Sequence, residues 1–290
     1  MKRLLAILLA ALLLLFLSPA ALAAETEAQQ IGSVEAFLRF ADACALESYS
    51  KDKTFSLTAD LDLSSTNFAA IPYFAGTFKG NGHVILGLRL TGEGSRQGLF
   101  RRIAPGAAVQ NLNVKGTVKP LGSRSYVGGI VGVNEGCVED CSFEGTVSGV
   151  ENVGGIAGEN AESGTIRNCS VRGSIEAEHQ SGGIAGVNRG LISGCVNSGA
   201  VNTSDITPSS ESHFDLASLT LDDFLDLANI GGIAGDNSGS ILNCRSSGDV
   251  GYRYTGYNVG GVAGKSSGYV ANCRSSGAVR GRRDAGGIVG

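Results

Sequence analysis

The sequence is poor in several residue types, and each scarcity narrows the possible folds. It has no Trp, one Met, five Pro and only 17% charged residues. So little proline excludes a collagen-like chain, although glycine supplies 44 of the 290 positions. That much glycine also argues against helical bundles, because each helical glycine costs ~1 kcal/mol. The 42% apolar content argues against a disordered linker. A β-rich fold with many tight corners remains.

The first residues are predicted to be a targeting segment. Met1-Lys2-Arg3 is basic, residues 4–17 are apolar, and Ala21-Leu22-Ala23 is a small-x-small cleavage site, so residues 1–23 read as a secretory signal peptide. The apolar run is shorter than the ~20 residues that span a bilayer, so we expect no membrane span after cleavage, with an uncleaved anchor as the alternative. Without Lys2 and Arg3, the chain has 21 Lys or Arg against 27 Asp or Glu. This acidic excess argues against nucleic acid as a partner.

One motif recurs six times and carries most of the glycine: a Gly-Gly pair, a branched apolar residue, a small residue and Gly. The pairs are Gly128-Gly129, Gly154-Gly155, Gly182-Gly183, Gly231-Gly232 and Gly260-Gly261, and a sixth copy begins at Gly286. A turn residue follows each complete copy, at Asn134, Asn160, Asn188, Asn237 or Ser266. A branched residue comes next and, three positions later, a cysteine, at Cys141, Cys169, Cys195, Cys244 or Cys273. Repeats of this length are typical of solenoids.

Each repeat has three short β-branched stretches separated by Gly or Asn corners. Stretches this short predict rungs of a coil, with three parallel sheets and a rise of ~4.8 Å per turn. The branched residue and the cysteine both face inward only if a corner lies between them, and Asn168, Asn243 and Asn272 stand at that point in three copies. The predicted fold is therefore all-β, a right-handed parallel β-helix.

The cysteines invite a separate interpretation. Five share one register, so we expect them to stack as an inward ladder in which each behaves as a small apolar residue. Neighbouring rungs point the same way, which is poor geometry for disulfides. A disulfide that involves Cys44 or Cys137 is an alternative. A metal site is a weaker one, since only Cys137-x3-Cys141 approaches a metal-binding spacing, and we predict no metal or cofactor.

The segment before the repeats differs from them. Ser33 is a candidate helix cap for an apolar face made of Val34, Phe37, Leu38 and Ala41, and residues 54–63 alternate like one half-buried strand. We interpret residues 24–78 as an N-terminal cap whose helix covers the exposed sheet edge, and residues 79–290 as coils. The chain stops one strand into a new repeat, so we expect it to continue into further C-terminal domains.

The longest interval between repeats holds an insertion at about residues 203–229. Leu221, Phe224 and Leu225 lie there at helical spacing. They predict a short amphipathic helix that packs against the coil. The alternative is a recognition element, because insertions into one rung often carry the specificity of a solenoid.

These units resemble the GLUG-motif repeats of bacterial surface proteins. The resemblance covers roughly residues 30–290, including the lead-in stretches 57–63, 76–85 and 98–100. Ser266 at a turn position, Gly194 before Cys195 and the long insertion depart from the pattern. Such repeats occur in adhesin-like proteins and beside IgA-peptidase-type protease domains. The resemblance therefore implies export, surface display and a pectin-lyase-like solenoid, without a defined ligand.

The sequence contains no pattern that we recognise as catalytic. Asp60 and Asp62 share one face of the predicted strand, which we interpret as solvated. The acidic residues of the repeats cluster in one coil only, at Glu135, Glu139, Asp140 and Glu144. The histidines, His83, His179 and His213, lie in unrelated contexts, and His-Glu-x-x-His is missing, so no metalloprotease site is predicted.

We therefore expect an extracellular or cell-surface module that acts as a stalk or an adhesive surface and is not an enzyme. Its expected partner is a host or cell-surface glycan or protein. One alternative is a carbohydrate-active β-helix, a polysaccharide lyase or glycoside hydrolase. Another is the non-catalytic part of a larger surface protease. Three or more carboxylates within ~6 Å of each other in one groove would favour an enzyme.

Overall fold

The computed structural model describes residues 28–122, 124–204, 228–252 and 256–290. The chain forms a parallel β-solenoid of about eight turns, with one short helix near its N-terminus. Within a complete coil the chain passes through four sheets in a fixed order, which we number 1 to 4. The predicted signal peptide, residues 1–23, lies outside the described residues, as do Leu221, Phe224 and Leu225 of the insertion.

Sheets 1 and 2 have six strands each. Sheet 1 contains β9 (Ser125–Gly128), β13 (Glu151–Gly154), β17 (His179–Gly182), β22 (Ile230–Gly231), β26 (Val259–Gly260) and β30 (Ala285–Gly286). Sheet 2 contains β6 (Phe100–Ile103), β10 (Val131–Asn134), β14 (Ala157–Asn160), β18 (Ala185–Asn188), β23 (Ala234–Asn237) and β27 (Ala263–Ser266).

Sheets 3 and 4 are longer and begin before the first glycine pair. Sheet 3 contains β1 (Gln29–Ile31), β2 (Thr54–Leu57), β4 (Thr77–Lys79), β7 (Ala108–Gln110), β11 (Cys137–Glu139), β15 (Thr165–Arg167), β19 (Leu191–Ser193), β24 (Ser240–Leu242) and β28 (Tyr269–Ala271). Sheet 4 contains β3 (Leu61–Asp62), β5 (Val84–Leu90), β8 (Asn113–Val118), β12 (Ser142–Ser148), β16 (Ser170–Glu176), β20 (Val196–Asn197), β21 (Ala200–Val201), β25 (Arg245–Ser246) and β29 (Arg274–Ser275).

The predicted parallel solenoid is confirmed, but the predicted number of sheets is wrong. Three strands per coil were expected, separated by Gly or Asn corners. In the structure β9 ends at Gly128 and β10 begins at Val131, so this stretch is a corner between two strands. Equivalent repeat positions pair directly, as Gly154 does with Gly182 and Asn134 with Asn160. Each coil therefore has four strands, and neighbouring coils stack in register.

The predicted strand over residues 54–63 is also corrected. It divides into β2 in sheet 3 and β3 in sheet 4, with a corner between them. Ser56, expected on the solvent side, is only 7% exposed, and its hydroxyl accepts a hydrogen bond from Asn81 Nδ2 at 2.7 Å. β2, β4 and β7 are successive strands of sheet 3, and they lie on both sides of residue 78, where the N-terminal cap was expected to end.

The helix expected after Ser33 is present as α1 (Val34–Ala43), and the Ser33 hydroxyl accepts a hydrogen bond from Ala36 N at 3.2 Å. Its buried face is rotated from the predicted one, because Phe37, Phe40 and Ala41 are buried while Val34 and Leu38 are only half-buried. Phe40 contacts the aromatic rings of the first coils, at 4.6 Å from Phe55. The helix thus covers the N-terminal end of the core. It is too short to cross a membrane, and the described residues contain no helix that could.

Candidate functional site

The glycine pairs are corners where neighbouring coils touch through their backbones. A Cβ on Gly129 or Gly155 would collide with the carbonyl oxygen of Gly155 or Gly183, the equivalent glycine of the next coil. The first glycine of each pair is equally confined, because a Cβ there would meet the carbonyl of the residue three positions later. That holds at Gly128, Gly154, Gly182, Gly231 and Gly260. A Cβ at Gly183, Gly232 or Gly261 would also collide with the carbonyl oxygen of the equivalent glycine of the next coil. These positions therefore shape the coil and present no side chain to a ligand.

An asparagine ladder runs through the interior beside these corners. Asn134, Asn160, Asn188 and Asn237 are all fully buried. The Nδ2 atom of each donates a hydrogen bond of 2.8 Å to the Oδ1 atom of the next, and Asn237 Nδ2 donates to Ser266 Oγ at 3.0 Å. Sequence reasoning placed these residues in turns and missed their burial. The available signal was their constant spacing from the glycine pairs.

The predicted corner before each ladder cysteine is present. Asn168, Asn243 and Asn272 have φ of 52°, 56° and 55°, in the left-handed region that asparagine tolerates. This corner lets both the branched residue and the cysteine face the core. Cys141, Cys169, Cys195 and Cys244 are buried, while Cys273 is partly buried. All seven cysteines are free in the structure, including Cys44 and Cys137.

Three of the buried thiols, Cys44, Cys169 and Cys244, have raised pKa values, whereas hydrogen bonds with Cys169 and Cys244 lower the pKa of Cys195. Burial raises the pKa of Cys44 to about 12 and raises the pKa of Cys169 well above its ordinary value. Hydrogen bonding with Cys195, together with burial, raises the pKa of Cys244 as well. The thiolate is the nucleophilic form, so these raised values oppose nucleophilic or redox roles. Among the described residues, no group of three or more His, Cys, Asp or Glu side chains is placed to hold a metal ion.

Ion pairs between neighbouring coils engage many of the surface carboxylates. Arg102 binds Glu135 through two hydrogen bonds of 2.7 and 2.8 Å, and Lys115 Nζ lies 2.9 Å from Glu144. Further pairs join Arg189 to Glu159, Arg167 to Glu139, Arg124 to Glu178 and Arg280 to Asp249. Carboxylates distributed in this way along the coil are neutralised singly and do not converge on one point.

Asp60 and Asp62 both stabilise corners. Asp60 Oδ1 accepts a hydrogen bond from Val84 N at 3.0 Å and lies 3.0 Å from His83 Nδ1, while Asp62 accepts from Ser64 N at 2.9 Å. These backbone hydrogen bonds lower the pKa of both carboxyl groups. The pKa values of Glu35, Glu144 and Asp249 are lowered too. A glycosidase needs a general acid with a raised pKa, which is the opposite direction.

An open groove of about 440 Å³ lies on the outer side of sheets 1 and 2. Its lining includes Glu151, Gln180, Arg189, Asp236 and Ser238. Two carboxylates contribute to it, and Arg189 is already paired with Glu159. Among the described residues, the groove has fewer than the three converging carboxylates expected for a carbohydrate-active enzyme.

Comparison with known proteins shows which proteins and which family model the repeats resemble. Halomucin from Haloquadratum walsbyi is 29% identical over 125 residues, which cover 38% of this chain and 1% of halomucin. A crystal structure at 1.30 Å, described as that of a candidate immunoglobulin A1 protease from Bacteroides ovatus, has a TM-score of 0.58. That match covers 85% of this chain and 74% of the other at 20% identity, so it shows the fold alone. Residues 123–148 and 149–176 match the family model of the GLUG motif, and residues 123–176 of this chain are therefore two consecutive GLUG repeats.

Proposed function

We propose that this chain is an exported cell-surface module, a rigid rod that serves as a spacer and as a binding face and performs no catalysis. The observation that carries the proposal is the uninterrupted stacking of sheet 3. Nine strands follow one another from β1 to β28, each in parallel register with the next. At ~4.8 Å per step, the eight steps make a rod about 40 Å long.

Several features make this rod stiff. The glycine corners bring successive coils into backbone contact, and the asparagine ladder ties their interiors together. In such a solenoid each coil contacts only its neighbours, so length is added without new long-range contacts. The result is an extended surface with rows of side chains at regular spacing, which suits binding to another long molecule.

The arrangement of charge supports binding over hydrolysis. Glu135, Glu144 and Asp249 are each paired with an arginine or a lysine. The pKa values of Glu144 and Asp249 are lowered. The chain spans about 1% of halomucin, and its structural neighbour is described as a candidate protease. Both likenesses are compatible with a non-catalytic segment of a larger surface protein.

The proposal is tested on cells that express the complete natural reading frame. An epitope is inserted at Gly106, an exposed turn position with no heavy atom within 4 Å of its would-be Cβ. Antibody added to unbroken cells should label this tag, and deletion of residues 1–23 should abolish the labelling. Labelling that requires broken cells would contradict surface display.

Catalysis is tested separately on the purified chain. Polygalacturonate, chitin and arabinoxylan are incubated with it, and new reducing ends and unsaturated uronates are measured. We expect none above a buffer control. Release of either product, if lost in an Asp236→Asn or Glu151→Gln variant but kept in an Asp60→Asn variant, would establish the carbohydrate-active alternative.

A further inference from the structure

Positive charge is concentrated in the last coils. Residues 240–290 contain seven Lys or Arg and two Asp, whereas the whole chain has 23 Lys or Arg and 27 Asp or Glu. The molecule therefore has an acidic body and a basic C-terminal region. A charge separation of this kind attracts anionic partners to one end of the rod.

Two arginines of this region are stacked on sheet 4. Arg245 in β25 pairs in register with Arg274 in β29, and both side chains are exposed. In register, their Cα atoms are ~4.8 Å apart. Like charges directly opposite one another on a sheet are destabilising. Within the described residues neither arginine forms an ion pair with a carboxylate.

Earlier coils of the same sheet avoid such stacking. There the neighbouring outward row reads Lys115, Glu144, Arg172 in register, and Lys115 lies 2.9 Å from Glu144. The signs alternate, so each charge is compensated by the next coil. The uncompensated Arg245–Arg274 pair is thus a local departure that a bound anion would relieve.

Hydroxyl groups lie beside the two arginines. Ser247 and Ser276 are exposed at equivalent positions two residues further along, where Ser247 N bonds to Asn197 O and Ser276 N to Ser246 O. The exposed side chains of Arg245, Arg274, Ser247 and Ser276 thus lie close together on the outer face of sheet 4. Ser247 Oγ donates a hydrogen bond of 3.4 Å to Asn197 O, so the two guanidinium forks and the Ser276 hydroxyl are the groups that match the oxygens of sulfate and carboxylate groups.

We propose that the Arg245–Arg274 pair, with the Ser276 hydroxyl, binds an anionic polysaccharide whose chain runs along the rod across successive coils. A polymer fits better than a small anion, because the donors lie on an exposed face and repeat from one coil to the next. None of the side chains of Arg245, Arg274, Ser247 and Ser276 is aromatic, whereas non-specific binding of single-stranded nucleic acid relies on aromatic stacking. The inference rests on the proposed binding function and specifies the ligand chemistry for it.

The test uses the chain without its signal peptide and measures binding to immobilised dextran sulfate over a NaCl series. Arg245→Gln with Arg274→Gln should weaken binding by about tenfold and flatten its dependence on log[NaCl], since two charge contacts are lost. The matched control is Arg102→Gln with Arg189→Gln, which removes the same charge from residues paired with Glu135 and Glu159. The control should stay within about twofold of the parent.

Three further immobilised polymers show which chemical group of the ligand is bound. Polygalacturonate tests carboxylate, uncharged dextran tests the sugar backbone, and duplex DNA tests general attraction to polyanions. Binding to either charged polysaccharide that depends on the arginine pair supports the proposal. Equal loss in both double variants, equal binding to uncharged dextran, or DNA binding as tight as dextran sulfate binding would overturn it. If surface labelling of cells persists after such a result, the proposed display function survives and only this ligand assignment fails.

Discussion

Replacing Gly158 with alanine tests whether glycine sets the distance between sheets 1 and 2. Gly158 lies on β14, against the backbone of β9 in the preceding coil. A Cβ there would stand 2.5 Å from Val127 N and 2.6 Å from Tyr126 Cα. Non-bonded carbon atoms prefer about 3.5–4.0 Å, so the two strands must separate by roughly 1 Å.

The cost follows from the atoms that must move. They belong to backbone and not to flexible side chains, so overpacking costs about 1–3 kcal/mol. Loosening one or two of the backbone hydrogen bonds of β9 and β14 adds about 0.5–1.5 kcal/mol each. Alanine restricts the unfolded chain and returns about 0.4–1 kcal/mol. The expected net loss in unfolding free energy is about 2–4 kcal/mol.

Gly92→Ala is the matched control. Gly92 is exposed, has no heavy atom within 4 Å of its would-be Cβ and does not have a left-handed φ. We expect its substitution to be neutral or to stabilise by up to about 1 kcal/mol. Urea unfolding followed by far-ultraviolet circular dichroism measures both variants, and hydrogen exchange shows whether the loss centres on the coils around Gly158. Equal midpoints for the two variants would refute the idea that glycine is required for the contact between sheets.

Two other predictions concern buried polar groups. Asn160→Ala should lower the unfolding free energy by about 2–4 kcal/mol, because Asn188 Oδ1 loses its donor in the core and Asn134 Nδ2 loses its shortest hydrogen bond. A loss below about 0.5 kcal/mol in urea unfolding would contradict an energetic role for the ladder. Burial raises the pKa of Cys44 to about 12, whereas the pKa of an unfolded thiol is ~8.5. Below pH ~8.5 the neutral thiol therefore contributes its full stabilisation to the folded state. This stabilisation is lost as the pH rises toward 12. Stability should therefore decline above pH ~9 with a smaller slope in Cys44→Ala, and identical slopes would count against this assignment.

Periodicity alone was enough to predict the parallel solenoid. Equivalent residues recur at nearly constant spacing, and in-register stacking of coils is the arrangement that places them all in the same environment. The left-handed corner at Asn168 followed from parity, because an odd separation cannot put two residues on the same side of one strand. The cap at Ser33 followed from local hydrogen-bonding chemistry.

The features that were missed depend on neighbouring coils. Glycine suits a corner, but one repeat does not show that one strand ends at Gly128 and a further strand begins at Val131. Asn160 is polar and follows a glycine motif, which indicates an exposed turn. It is buried because Asn134 and Asn188 satisfy its amide, and those partners lie a full coil away. The burial of Asn160 therefore depends on the stacking of the coils and cannot be predicted from one repeat alone.

The interior also changes along the rod, and this bears on where binding can occur. The row of sheet 4 that faces the second glycine of each pair reads Phe143, Val171, Asn197, Ser246 and Ser275 in register. Apolar side chains thus give way to hydroxyls, and Ser246 Oγ is buried without a hydrogen-bond partner among the described residues. Because apolar burial is the main source of stability, the aromatic N-terminal coils contribute most of it. The Arg245–Arg274 pair lies on the outer face of these less apolar coils, whereas Arg280 of the same region is paired with Asp249. The division is consistent with a rod whose N-terminal part maintains the fold while its basic part is available for a ligand.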